Sequence, residues 1–410
     1  MLTRRRFLVL FPAFAVPAIA APAQSFTSLP FKKKRPIAPP APVFVYFGTD
    51  TKKGVSKGIY QSRFDPKTGQ LTTPILAAAT ARPSFLALSP PRNGPRFVYA
   101  VNAVNDPAAT VTTFVLDPNT GALRQVGQVP SGSAGPCYIS VDSTGKSAFV
   151  ANCMGSSISS YRILPDGTLS QPVDQIDFKD HKRFGALGPN NARQDTPHPH
   201  SATISPDNRF LLVNDLGTDH ISVFVINHDT GHLTTSEPHL FTNDRPGSGP
   251  RHVVFHPNGR WVYGINEMES TVDHYLWTAT RFSNAPQGLL VNTNTPIKTI
   301  AQDFPAEKNT AAEVAVSPDG KFLYASNRGE DSLVVFSVSS KDGALTLIQR
   351  IACGGKVPRH FTLDPTAQWL LCGNQDSASI TVFRRDSATG KLTGPTQTIT
   401  VDSPMFTLFA

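Results

Sequence analysis

The chain has 410 residues, 40% of them hydrophobic and 17% charged, with 29 glycines and 36 prolines. That balance excludes a disordered or collagen-like protein and points to a globular one rich in turns, built as two domains or as one large repeat domain. The formal net charge of +8 is carried by residues 1–42, which hold seven basic and no acidic residues and leave +1 for residues 43–410, so the folded body does not have the charge of a nucleic-acid binder.

At the N-terminus, TRRRFLVL (3–10) sets paired arginines before a short apolar stretch, and AIA (18–20) and APA (21–23) supply small-residue cleavage sites. Residues 1–23 are expected to be an export signal of the twin-arginine type, with the twin-arginine machinery as partner and the periplasm or exterior as destination. The alternative is an uncleaved anchor. Pro12 and Pro17 break the apolar run, which weakens a permanent span. Residues 24–42, with KKKRP and PAPPAP, are expected to be a basic, proline-rich linker.

From residue 43 the sequence repeats. VFVYFGT (43–49) opens the body, and PSFLALSP with RFVYAVN follows (83–102). The same hairpin returns as GPCYISVDSTGKSAFVAN (135–152), PHSATISPDNRFLLVND (199–215) and GPRHVVFHPNGRWVYGIN (249–266), then as AEVAVSPDGKFLYASN (312–327) and PRHFTLDPTAQWLLCGN (358–374). Each closes near an asparagine, namely Asn102, Asn152, Asn214, Asn266, Asn327 and Asn374. A third strand and a second turn follow each hairpin, as in HISVFVINHDTGHL. Alternating apolar residues with Asp-Gly, Asn-Gly and Thr-Gly turns predict short antiparallel strands, four to a unit, which is the pattern of a β-propeller blade. The segment 43–49 lacks an inner strand before it, and SPMFTLFA (403–410) is an inner strand with nothing after it. Pairing the two closes the ring without leaving an open edge. The prediction is an all-β, seven-bladed propeller over residues 43–410.

In such a disc, with strands lettered a to d outward from the axis, the a–b and c–d turns lie on one face. The start of every a strand and the end of every b strand meet near the axis on the other. That front face collects His198, His200 and Asp215, then Arg251, His252 and Glu267, then Glu313, Asn327 and Arg328, and last Arg359, His360, Asn374, Gln375 and Asp376. Convergent polar groups at the mouth of an axial pocket mark the candidate site.

PHPHSATISPD, GPRHVVFHPNGRWVYGINE, AAEVAVSPDGKFLYASNRGEDS and PRHFTLDPT with NQDS together resemble the lactonase-type seven-bladed propellers, which include bacterial propeller 6-phosphogluconolactonases and the fungal carboxymuconate lactonizing enzyme. The resemblance spans residues 43–410. It implies a catalytic set of His200, Arg251, Glu267 and Arg328, with His198, His252, Glu313, Arg359 and His360 as neighbours in substrate binding. The chain departs from the family pattern at Ala103, Cys153 and Ala315, which thins the polar lining on one side and leaves the substrate open.

Those residue types suit lactone opening. His200 or Glu267 can act as general base, and arginine serves as a fixed cation for an oxyanion, carboxylate or phosphate. The expectation is hydrolysis of a small anionic or sugar lactone by a monomer without a cofactor. A carboxymuconate-type cycloisomerase and a non-catalytic binding propeller are the alternatives. His198 alone suits a loop brace as well as a ligand contact. No His, Cys and Asp cluster has zinc spacing, so no metal is expected, and no Gly-x-Ser-x-Gly elbow is present. Cys137 and Cys153 fall nearly opposite each other on one hairpin, which admits a disulfide, with buried free thiols as the alternative. Residues 178–197 form a long front insertion carrying Lys179, Lys182, Arg183 and Arg193, a candidate lid. A second insertion, 281–296, is expected at the back or outer edge.

Overall fold

A computed structural model of the chain describes residues 43–410 apart from 53, 92, 93, 244, 283 and 284. The export signal and linker expected over 1–42 lie outside the described residues. Seven antiparallel sheets form the described body, and in six of them the strands run in sequence order from the inside out. Blades two and three take their inner strands from Pro83–Leu88 and Pro136–Val141, and blades four and five from Pro199–Ile204 and Pro250–Phe255. Those of blades six and seven are Thr310–Val316 and Pro358–Leu363. In blade one the inner strand is the C-terminal Pro404–Phe409, which pairs with Val43–Thr49 in the register Val45↔Phe409 and Phe47↔Thr407.

The burial pattern follows from stacking sheets face to face. The b strands Ser147–Asn152, Phe210–Asp215, Trp261–Asn266 and Trp369–Asn374 are buried at every position, so they read as near-continuous apolar runs. Outer strands alternate buried and exposed, as in Leu392–Thr400. Seven apolar clusters fill the seven gaps between neighbouring blades; Val45, Phe47, Phe64, Trp369, Leu371 and Val382 fill the one that closes the ring.

Polar ties reinforce these gaps. Tyr46, Tyr99, Tyr263 and Tyr324, all on b strands, donate their phenolic O–H to the carbonyls of Gly121, Gly167, Gly343 and Gly390 in the c–d turn of the next blade, at 2.7–2.9 Å. Trp369 makes the equivalent bond from its indole nitrogen to the Pro66 carbonyl, 2.9 Å, across the closure. Gly121 has φ +75°, and a Cβ there would run into Phe44 and Gln61 of the preceding blade, so both backbone and contact require glycine.

The repeated asparagines belong to this scaffold. All six are at most 3% exposed. Asn102, Asn152 and Asn327 donate to the carbonyls of Ala81, Ser131 and Thr299 in the connections that lead from one blade to the next.

Within the insertion 281–296, residues 285–292 form a strand. Strand c of blade five runs on as Thr271–Phe282 and returns as Ala285–Asn292. This hairpin arm lies on the outer strand of blade four, where Gly288 N–H donates to Ser236 Oγ at 3.1 Å and Gln287 Nε2 to the Glu237 carbonyl at 2.5 Å. The front segment 178–197 begins with a short helix, His181–Phe184, capped by Asp180, and its Phe178 and Phe184 rings stack at 4.3 Å.

Candidate active site

Six of the seven inner strands carry a bulge at their second residue. In blade four, Pro199 pairs with Asp215 and Ser201 with Asn214, leaving His200 as the extra residue. The same skip isolates Arg251 in blade five, Arg359 in blade seven and Cys137 in blade three. It isolates Ser84 in blade two and Met405 in blade one. In blade six the irregularity spans Ala312 and Glu313. A bulge re-aims one side chain out of the alternation, and here it turns one residue per blade toward the axis. The proline that precedes most of these residues has no N–H to leave unpaired.

The result is a front cavity of about 370 Å³. The bulge residues Ser84, Cys137, His200, Arg359 and Met405 line it, together with Ala103, Cys153, Glu267 and Arg328 from the ends of b strands. Arg193 reaches in from the front segment.

Glu267 is the hub. Its carboxylate is 2.9 Å from Arg193 Nε, 2.9 Å from Arg328 Nη2 and 3.3 Å from Arg251 Nε. Burial would raise its pKa, but Arg328, Arg193 and Arg251 outweigh burial and hold it well below the carboxylate range. A carboxylate clamped in this way stays ionised and is a poor proton acceptor at neutral pH. The arginines are anchored in turn: Arg328 donates to the Thr310 and Ala311 carbonyls at 3.3 and 2.9 Å, and Arg251 Nη1 donates to the Ala312 carbonyl. Burial, followed by Arg328 and Arg359, pushes Arg251 down to about 9, and it remains a cation at neutral pH.

His200 is 5% exposed, and its Nδ1 has no hydrogen-bond partner. Burial first, then Arg251, His252 and Arg193, holds its pKa well below the usual histidine value, which keeps the imidazole neutral. Arg359 lines the cavity and forms no ion pair with any described residue.

Five of the nine predicted residues do not line the cavity, Arg251 among them, which is 3% exposed and held against Glu267. His198 is buried and bonds Asp195 at 3.0 Å and the Cys153 carbonyl at 3.0 Å, bracing the front segment against blade three. Its backbone N–H donates to Asp215 at 2.6 Å, so that carboxylate is scaffold too. His252, Glu313 and His360 lie outside the cavity wall; Glu313 bonds His252 at 3.2 Å and sits 3.6 Å from His360 Nε2. They join Phe85, Tyr138 and Phe406 in an axial plug, with His360 and Phe406 ring centroids 4.0 Å apart and Phe85 and Phe406 3.9 Å apart. The physical reason is the bulge: it aims the second residue of each inner strand at the cavity and leaves the third, at His252 and His360, in the channel behind it.

Residues 44–409 match the family model described as lactonase, seven-bladed β-propeller. The chain belongs to that family. It is 35% identical over 350 residues to a 6-phosphogluconolactonase of Formosa agariphila, covering 85% of this chain and 94% of the relative. It is 31% identical over 366 residues to the 6-phosphogluconolactonase of Bacillus subtilis, covering 89% and 97%. Among solved structures, the periplasmic gluconolactonase of Pseudomonas aeruginosa superposes with a TM-score of 0.78 at 29% identity, covering 90% of this chain and 99% of that one. Within this family frame, Arg193, Cys137 and Cys153 are wall residues for which the repeat pattern gave no signal. Arg193 lies in the front segment between repeats, and thiols are as common in cores as in sites.

Proposed function

We propose that this chain is an exported lactone hydrolase acting on a sugar lactone of the gluconolactone type. His200 serves as general base. Its neutral ring, with an unpartnered nitrogen, takes a proton from water as the water oxygen bonds to the lactone carbonyl carbon. The developing oxyanion is held by Arg359, the one wall arginine named here without a carboxylate partner, and charge of this kind is stabilised best by preorganised cations in a water-poor site. The ring C–O bond then breaks, and the protonated His200 returns its proton to the departing alkoxide. Glu267 positions Arg193, Arg251 and Arg328 and takes no proton itself.

The observation that carries this reading is the pairing of a neutral, unpartnered His200 with an unpaired Arg359 in a wall where the other wall arginines are compensated. The arginine pair in residues 3–10 and the likeness to a periplasmic gluconolactonase support twin-arginine export and a substrate without phosphate. The test is hydrolysis of gluconolactone and its 6-phosphate by the purified chain. Arg359→Ala is expected to lower kcat/KM on gluconolactone by roughly 10²–10³-fold, the usual effect of losing one oxyanion donor, and His200→Ala by roughly 10²–10⁴-fold. Wild-type rates in both variants would exclude this assignment.

A further inference from the structure

Three potential metal ligands share the cavity wall. Cys137 is the bulge residue of blade three, Cys153 follows the b strand of the same blade, and His200 is the bulge residue of blade four. One ligand atom from each lies within 4.8 Å of the other two. Cys153 is 6% exposed, both cysteines are free thiols, and all three residues line the same cavity. His200 also has the buried, unpartnered Nδ1 already described, a polar atom that folding leaves without a partner.

We infer that Cys137, Cys153 and His200 form a Cys₂His site for a thiophilic divalent cation, Zn²⁺ above all, with its fourth position open to the cavity.

Ligand chemistry and geometry agree. Two thiolates and an imidazole select zinc over magnesium or calcium, which take oxygen ligands. Tetrahedral zinc, with bonds of about 2.3 Å to sulfur and 2.0–2.1 Å to nitrogen, needs ligand atoms roughly 3.5–3.8 Å apart. Rotation of two cysteine side chains supplies that contraction from the present spacing. Among the described residues, the Cys137 thiol makes weak bonds to the backbone carbonyls of Pro199 and His200, at 3.8 and 3.5 Å, so little is lost when it turns. A closed structural site would need a fourth protein ligand. The nearest carboxylate on the wall, Glu267, is held by three arginines, so water or a ligand oxygen takes that place.

The arginines of the wall do not oppose the metal. Zn²⁺ replaces two thiol protons, so the charge of the cavity is unchanged on loading. His198 Nδ1 lies 3.8 Å from the Cys153 sulfur and the other side of its ring bonds Asp195 at 3.0 Å, which is an outer-shell support for a sulfur ligand.

A zinc-bound imidazole cannot also take a proton from water, so the metal-loaded form and the form in which His200 acts as base are separate states of the same wall; the test reads metal rather than hydrolysis, so failure of the site leaves the lactonase reading standing, and the reverse. The full-length chain is reduced, freed of reductant under anaerobic conditions and titrated with Co²⁺. Expected are one equivalent bound, a sulfur-to-cobalt charge-transfer band, tetrahedral d–d absorption, and displacement of both by one equivalent of Zn²⁺. Cys137→Ser and Cys153→Ser should each lose the charge-transfer intensity and weaken binding by more than the roughly 10–100-fold that loss of an outer-shell partner costs. A readout that does not depend on these variants is thiol protection: bound Zn²⁺ should shield Cys137 and Cys153 of the wild type from iodoacetamide. Cobalt binding without thiolate charge transfer, binding unchanged in both serine variants, or a wild-type chain whose thiols Zn²⁺ does not protect would each overturn the site.

Discussion

Glu267→Gln separates two roles that the residue type alone allows. As a base, Glu267 would matter to rate and little to stability. As the hub of a buried ion cluster, it would matter to both. The carboxylate is 6% exposed and lies 2.9–3.3 Å from three guanidinium groups. Gln keeps the shape and one acceptor but leaves Arg193, Arg251 and Arg328 facing one another without a counter-charge. Removing one partner of a buried pair costs about 3–5 kcal/mol. For a domain of the size of residues 43–410, an unfolding entropy of about 2.1 cal/mol/K per residue converts that loss to a Tm drop of roughly 4–6 °C.

The pH dependence has a definite sign. The folded pKa of Glu267 lies below its unfolded value of 4.5, so its contribution is fully present above pH 4.5 and is lost as pH falls through the folded pKa. The stability gap between Glu267→Gln and wild type, measured by calorimetry or denaturant unfolding, should therefore be full at pH 7 and narrow below pH 4.5. An unfolding midpoint at pH 7 indistinguishable from wild type would refute the hub argument and return Glu267 to the list of bases.

Two further outcomes follow from the scaffold. His360, facing Glu313, His252, Arg251 and Arg359, has its pKa lowered from 6.5 to about 4 by burial, with Glu313 opposing; the wild type should therefore lose about 3 kcal/mol relative to His360→Gln as pH falls from 6.5 to 4, and a pH-independent gap in urea unfolding would contradict it. Ending the chain after Ser403 removes the inner strand Pro404–Phe409 and bares the edge of Val43–Thr49; the product should be aggregated or lack a cooperative melt, and a monomer with the native transition would show that ring closure is dispensable.

The fold was legible because its signals are local and repeated. Asn-Gly and Asp-Gly turns, period-two alternation and seven inner-strand sequences define blades without reference to distant contacts, and the orphan strands at 43–49 and 403–410 give the closure. The wall was legible only in part. His200, Arg251, Glu267, Arg328 and Arg359 could be placed at the front face by counting along hairpins. Which of two adjacent front residues enters the cavity could not, because alternation assigns neighbouring residues to opposite sides and a single bulge reverses the assignment. Arg251 and His252, or Arg359 and His360, are equivalent by pattern and differ only through that bulge. Arg193 was expected only as one of four cations on a covering insertion, and its place in the wall beside Glu267 depends on the path of residues 185–197 across the front, fixed by contacts such as Gln194 Nε2 to the Leu216 carbonyl at 2.9 Å, which no short motif encodes.

The bulge also explains how one scaffold carries a chemically uneven wall. A bulge residue makes no paired rung with the neighbouring strand, so its side chain can change without breaking the ladder that holds the blade. Around the ring that position holds Met405, Ser84, Cys137, His200, Arg251 and Arg359, an apolar group, a hydroxyl, a thiol, an imidazole and two guanidiniums in equivalent backbone settings. The buried asparagines one hairpin rung away stay constant from blade two to blade seven, and those of blades two, three and six pin the connections between blades. Invariant brace beside variable bulge is what lets the fold stay the same while the chemistry of the cavity is set residue by residue, and it places the thiols of blade three against the histidine of blade four, where neither sequence spacing nor strand pairing would have joined them.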